Sequence, residues 1–442
     1  MPVAGLPTRI QRPAARLAAL AWLLAQALGP APVAAEEPEP LALPQGWQMG
    51  EQLLDLPDWL ELKLTFTAEP MGNPRGGARQ RASWLGQTNA ALSIGPGLGL
   101  PPQHWRELDH WSLNATLTHT AGDGRFSQEI GALIPVQQLA YPSGFLLSEA
   151  SISRSSGDGW LTFKGGILPM DPDFIAAPVL GFYVHSAFND TLNLSLNAAP
   201  ISPYAALGGL VHLQAGPELS LRYGWFDLSS TQSIATWLGS PNPFKAVPGG
   251  TAQVLQLNWT PSGLAPAAGT PLPACRVASG VVRRRTPCRQ ALAVQNQLPG
   301  ALLSLGGYST SRQRGGLYGS VTLRSGLPLG LDERLWLGGA WAPDASASLA
   351  PTFLAGGLVV QGLLPSRPLD VLVLGAGRAG LNPTQPLGWP TRYEGMLELG
   401  YQLRLNGGLA LQPTVQWILN PSGAGQPLPG ILTAGLQVNL SF

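Results

Sequence analysis

From Leu432 to the carboxyl end, every second residue of this 442-residue chain is apolar: Leu432, Ala434, Leu436, Val438, Leu440 and Phe442. Thr433, Gly435, Gln437, Asn439 and Ser441 stand between them. A period of two is a β-strand with one oily and one wet face. Strands of soluble proteins average about five to six residues, whereas a strand that crosses a bilayer at about 45° needs about ten. The stretch 431–442 therefore predicts a membrane-spanning strand.

The same pattern recurs along the chain, over 59–67, 84–94, 111–120, 126–133, 145–152 and 160–166, then over 205–214, 219–227 and 251–259. It returns over 301–308, 317–324, 335–341, 353–361, 369–378, 396–405 and 409–419. In 396–405, Leu397, Leu399, Tyr401, Leu403 and Leu405 alternate with Glu398, Gly400, Gln402 and Arg404. A soluble β-sandwich or β-helix also alternates, but its oily face is not nearly pure Leu, Val and aromatic over whole strands. Here Lys63, Arg222, Glu398 and Arg404 share the other face with Gln, Asn and Thr. In a closed barrel lipid wets the oily face, water fills the polar lumen, and no unpaired strand edge is left in the membrane. The expected fold is all-β, a transmembrane antiparallel β-barrel of 16–18 strands with no helical stretch of note. Trp259, Trp341 and Trp417 fall near predicted strand ends, as an aromatic girdle requires.

Composition agrees. Only 12% of residues are charged, against about 25% in ordinary soluble proteins. Gly (55) and Pro (43) are abundant, so helix propensity is poor. The net charge of +1 is too balanced to suggest nucleic acid as a partner. Residues 1–35 read as a secretory signal peptide. Arg9, Arg12 and Arg16 precede an apolar run from Leu17 to Leu28, and Val33-Ala34-Ala35 offers a cleavage site before Glu36. That run is shorter than the ~20 residues of a spanning helix. Cleavage would move the formal charge from +1 to −2, since it removes three arginines and no acid. Residues 36–442 then form a single barrel domain, with 260–299 as a long irregular insertion. Asn406-Gly407-Gly408 is a short turn, whereas 379–393 and 420–430 are long, the two-sided loop pattern of outer-membrane barrels.

Chemistry-bearing motifs are sparse. GxSxG, HExxH and a GxGxxG on a strand–helix unit are all missing, and no ligand cluster for a metal is evident. The expectation is no enzyme, no catalytic residue, no cofactor and no metal. The two cysteines, Cys275 and Cys288, lie in the irregular segment, and an oxidising compartment favours one disulfide between them; two free thiols are the alternative. Between them runs Arg283-Arg284-Arg285, which suits solute anions, lipid phosphates or plain solvation. Strand parity places this segment on the short-turn side and its length on the other.

From residue 161 onward the order of residues resembles the OprB-type carbohydrate-selective porin family. Leu161-Thr162-Phe163-Lys164-Gly165-Gly166 is followed by Asp171-Pro172-Asp173-Phe174 and Phe182-Tyr183-Val184-His185-Ser186-Ala187-Phe188. Pro203-Tyr204-Ala205-Ala206-Leu207-Gly208 and Tyr223-Gly224-Trp225-Phe226-Asp227 come next. Asn73-Pro74-Arg75-Gly76-Gly77 looks like that family's early N-P-x-G-G. Gln412-Pro413, Gln416-Trp417-Ile418 and Asn420-Pro421 before the terminal Phe442 fit its ending. The chain departs from the pattern at Lys164, which precedes its glycines, and at His185, where Asn is usual.

The resemblance implies a 16-stranded barrel narrowed by inward-folded loops, and the sequence offers 168–204 as such a loop. It also implies a passive outer-membrane diffusion channel for small hydrophilic solutes, with carbohydrates foremost. Inorganic ions or other small nutrients are the alternative solutes, and a non-conducting structural barrel is the reading from another class. The expected location is the bacterial outer membrane, with lipid and solutes as partners and either a monomer or a homo-oligomer such as a trimer. The pore and solute candidates are Lys164, Asp171, Asp173, Phe174, His185, Phe188, Asn189, Tyr204, Arg222, Glu398 and Arg404. Aromatic rings stack on apolar sugar faces while amides and carboxylates meet hydroxyls. The alternative is that Phe174, Phe188 and Tyr204 simply pack the loop against the wall.

Overall fold

The computed structural model describes residues 60–95, 110–175, 177–189, 200–238, 249–262, 300–311, 315–325, 332–344, 348–364, 366–367, 369–382, 391–405 and 408–441. The predicted signal peptide, Cys275, Cys288, the arginine run, Phe442 and the side chain of Asn189 lie outside them.

The first stave, β1, comprises Leu60–Ala68 and its continuation Met71–Arg75, interrupted at Glu69-Pro70. The second, β2, is likewise split into Ala82–Ser83 and Leu85–Ile94. Both halves keep one antiparallel register, with Ala68 opposite Gly86 and Met71 opposite Ser83. There follow β3 (Trp111–Gly122), β4 (Gly144–Ser155), β5 (Leu161–Leu168), β6 (Ala206–Gln214), β7 (Leu219–Asp227) and β8 (Thr251–Trp259). The second half holds β9 (Ala301–Thr310), β10 (Gly315–Arg324), β11 (Asp332–Trp341), β12 (Thr352–Gln361), β13 (Val371–Gly380), β14 (Tyr393–Arg404), β15 (Leu409–Leu419) and β16 (Ile431–Ser441). Each pairs antiparallel with its neighbours in sequence, and β16 returns to β1 through Ser441 opposite Thr65. The ladder is therefore closed, a barrel of sixteen staves within the expected range.

Burial is inverted relative to a soluble protein. Leu113, Phe163, Leu255, Leu305, Leu337, Leu354, Leu399 and Val415 are exposed on the outside, while Thr118, Gln256, Thr322, Glu398, Gln412 and Gln437 are buried. Alternation puts these two sets on opposite faces of the same strands. Exposed aromatics collect at the strand ends. Phe145, Trp225, Trp341 and Trp417 lie toward one rim, and Trp160 and Trp259 toward the other. Two girdles at the levels of the headgroups follow.

Two expectations are corrected. The stretch 126–133 is not a strand; Phe126–Ile130 is a short helix, α1, closed by Gly131 in the left-handed conformation at φ 92°. Phe126 and Ile130 are buried inside the barrel, so packing at a spacing of four won over the local alternation. The chain also holds an eight-residue helix, Ser230–Trp237, where no helix was expected. Residues 263–299 of the expected insertion lie outside the described residues, and the strand ends that flank them share one rim. Trp259 pairs with Leu219, at the rim of the four-residue turn 215–218, and Ala301 opposes Leu323 at that same rim.

The lipid-facing assignment predicts that Leu399→Arg, at mid-strand on the oily face of β14, lowers stability in lipid vesicles by about 2–4 kcal/mol. Denaturant titration of folded protein in such vesicles measures it; an unchanged midpoint would contradict the outward placement.

Candidate functional site

Two connections at the long-loop rim fold back against the inner wall. The first runs 123–143 and includes α1. The second runs 169–205 and includes the single turns Asp171–Phe174, Pro178–Phe182 and Ser186–Asn189. Each leaves backbone N–H groups where water is excluded, and inward-facing carboxylates accept them. Glu398 on β14 accepts the N–H groups of Val184 and His185, both at 2.8 Å. Four residues earlier, Glu394 accepts those of Leu133 at 3.0 Å and Ile134 at 2.9 Å, and that of Ser422 at 2.7 Å. Glu69, at the break in β1, takes the N–H of Leu139 at 3.2 Å and the amide of Gln437 at 2.8 Å.

Side chains complete the seat of the second loop. Tyr183 donates to the Leu374 carbonyl at 2.8 Å and accepts the Trp336 indole N–H at 2.8 Å. Its ring and that of Phe188 lie over glycines of the wall. A Cβ at Gly375 would stand 2.7 Å from Tyr183, and one at Gly377 3.2 Å from Phe188. Phe174 meets Phe226 edge-on at 6.1 Å, and its carbonyl accepts from the Tyr318 hydroxyl at 3.1 Å. The two loops and the staves β5 to β16 thus share an apolar core inside the barrel, around Val136, Phe174, Tyr183, Trp336 and Met396.

Among the described residues, a cavity of ≈ 470 Å³ lies against the other wall. Its wall side carries Lys63, Thr65, Thr67, Gln87, Asn89, Thr116 and Thr118 from β1 to β3, with Ser148 and Glu149 from β4. Its loop side carries Asp171, Ser186 and Ser202. Consecutive Ser148 and Glu149 both reach the cavity because β4 bulges there: Thr116 opposes Glu149, Leu117 opposes Leu147, and Ser148 is the extra residue.

The predicted residues separate into three groups. Lys164 faces inward, and its ammonium pairs with Glu149 at 3.0 Å and Asp173 at 3.2 Å; Arg222 donates to the Asp173 carbonyl. Asp171 borders the cavity and accepts the Ser202 N–H at 2.7 Å and hydroxyl at 3.0 Å, while burial raises its carboxyl to about 6. These four cluster beside the opening. Phe174, His185, Phe188 and Tyr204 do not reach it: each is 2% exposed or less. Tyr204 packs edge-on against Tyr141 at 5.6 Å. The sugar-stacking role expected of these rings gives way to packing. His185 has a structural use, since its Nδ1 accepts the Ala187 N–H at 3.1 Å. That is the bond an Asn side chain makes at a helix start, so the departure from the family's Asn keeps the cap. Burial lowers the ring to about 3, which leaves it neutral. Glu398 is a loop clamp, and Arg404 sits at the opposite rim, where its N–H and carbonyl meet Asp370 and Arg367.

Sequence reasoning missed Glu149, Glu394, Glu69 and the hydroxyl and amide wall of β1 to β4. Alternation alone places Thr65, Asn89 and Thr118 inward. No local signal announces the bulge that turns Glu149.

A closed sixteen-stave barrel with lipid-facing leucines, aromatic girdles and inward loops beside a polar-lined cavity is the architecture of an outer-membrane diffusion channel. Residues 103–442 match the family described as carbohydrate-selective porin, OprB family, and the chain belongs to it. It is thus an outer-membrane porin for carbohydrates. Among solved structures it is similar to Pseudomonas putida OprB in its high-pH structure, with a TM-score of 0.67 and 17% identity over 87% of this chain and 94% of that one. The low-pH structure of the same protein gives 0.52 and 16%, over 87% and 93%. Compared with curated proteins, the sequence matches none.

Removing the clamp tests the seat of the second loop. Glu398→Ala leaves two buried N–H groups unpaired, at a cost of about 1–3 kcal/mol each. Single-channel traces of this variant are expected to step between conductance levels where the parent is steady. Traces indistinguishable from the parent's would show that Glu398 does not hold the loop.

Proposed function

We propose that carbohydrates cross by passive diffusion through the crescent between the β1–β4 wall and the inward loops, and that residues 169–205 form its constriction. The observation that carries this is the ≈ 470 Å³ cavity, lined by hydroxyl, amide and charged groups and lying beside the apolar core that the inward loops share with the wall. Beside the crescent, which Lys63 also lines, the charge of Lys164 is matched. Lys164 stands between Glu149 and Asp173, and opposite charges a few ångströms apart cancel much of each other's field. Neutral solutes are therefore favoured over ions of either sign. The test is planar-bilayer recording. The expected result is a steady conductance that added sugar reduces and added organic anions do not. A folded protein with no conductance would sink the channel reading, and block by anions alone would overturn the solute.

The chain reaches the outer membrane, on this reading, by export with loss of residues 1–35. Amino-terminal sequencing of the membrane-extracted protein is expected to begin at Glu36; a start at Met1 would refute cleavage. The fold accommodates a monomer as the conducting unit, since the crescent lies wholly within one chain.

A further inference from the structure

The wall of the crescent carries an oriented chain of hydrogen bonds that crosses four staves. Ser148 on β4 donates to Thr118 on β3 at 2.6 Å. Thr118 in turn donates to the Asn89 amide oxygen on β2 at 2.7 Å. The Asn89 amide nitrogen donates to Thr65 on β1 at 3.3 Å. All four residues line the cavity, but they differ in depth. Thr118 and Ser148 are buried at 1% and 6% exposure, whereas Thr65 and Asn89 are half-buried.

The direction of the chain decides what is left over. The Asn89 oxygen is taken by Thr118, and Thr118 and Ser148 have given up their hydrogens. The hydroxyl hydrogen of Thr65 has no acceptor among the described residues, and Asn89 keeps one amide hydrogen. Both are donors that can point to the cavity. Bonds aligned head to tail polarise one another, which strengthens the terminal hydroxyl. The facing loop has the opposite character. Ser186 donates to the Pro135 carbonyl at 2.6 Å and Ser202 to Asp171 at 3.0 Å, so both present oxygen lone pairs.

We propose that Thr65 and Asn89 form a binding subsite for the vicinal hydroxyls of an uncharged sugar, with Ser186 and Ser202 completing it from the loop. The proposal rests on the conduction path given above. A sugar carries several hydroxyls, each able to accept and to donate. One can take a hydrogen from Thr65 or Asn89 while its neighbour gives one to a serine oxygen across the crescent. A cation would need several free oxygens on one side, and the Asn89 oxygen is already engaged. On this wall an anion would meet the Lys63 ammonium together with the Glu149 carboxylate, which offset each other. Thr118 and Ser148 touch no solute in this arrangement; they are positioning residues that fix the Asn89 amide.

The experiment compares Thr65→Val, Asn89→Leu and Thr118→Val with the parent in planar bilayers. It reads the D-glucose concentration that halves the potassium chloride current, relative to each variant's own current without sugar. Heat-modifiable migration on a gel checks that each variant has folded. Loss of one or two hydrogen bonds is expected to raise the half-blocking concentration about tenfold for Thr65→Val and Asn89→Leu. Thr118→Val, which frees the Asn89 amide without touching solute, is expected to raise it less, and potassium gluconate in place of glucose should show no such dependence. An unchanged half-blocking concentration in folded Thr65→Val and Asn89→Leu would overturn the subsite. So would a parent channel that conducts but is not blocked by glucose, while a parent that does not conduct would sink the conduction path itself.

Discussion

A loop folded into a barrel must find partners for its own backbone, because the walls have already used theirs on each other. Closure of the ladder from β1 to β16 leaves no spare strand edge inside. The inward loops also bury apolar side chains, so water is not available where they pack. Glu69, Glu394 and Glu398 meet this need. Glu398 and Glu394 alone take up five loop N–H groups, from Val184, His185, Leu133, Ile134 and Ser422. Their positions on the wall decide where the loops lie, and so where the lumen stays open. Carboxylates that sequence alternation presents as lumen charge are structural acceptors.

The barrel itself was legible because one physical pattern repeats along the chain. The staves Leu219–Asp227, Thr251–Trp259 and Leu409–Leu419 begin and end where alternation begins and ends. A face wetted by lipid tolerates no charge, so the outer side chains carry a clean signal. The inside carries a weaker one. Phe126, Ile130 and Leu133 recur at helical spacing, yet five helical residues are too few to stand out from a strand of equal length. The aromatics of the second loop were visible, but their neighbours were not. Whether Phe188 meets a sugar or the flat seat at Gly375 and Gly377 depends on staves nearly two hundred residues away. Composition records those glycines only as weak helix formers. Their use is to let the Tyr183 and Phe188 rings approach the wall.

The low charge content has the same origin. At the crescent most charges have neighbours: Lys164 lies beside Glu149 and Asp173, Asp171 accepts the Ser202 N–H and hydroxyl, and Lys63 lines the cavity outside these pairs. A field strong enough to sort solutes by sign needs charges facing water without such partners. What the wall offers instead is a row of hydroxyls and amides whose hydrogens are already directed along the barrel's circumference. On the proposed path, discrimination acts through the match of donors and acceptors at short range, which salt screens little and which favours a neutral polyhydroxyl solute.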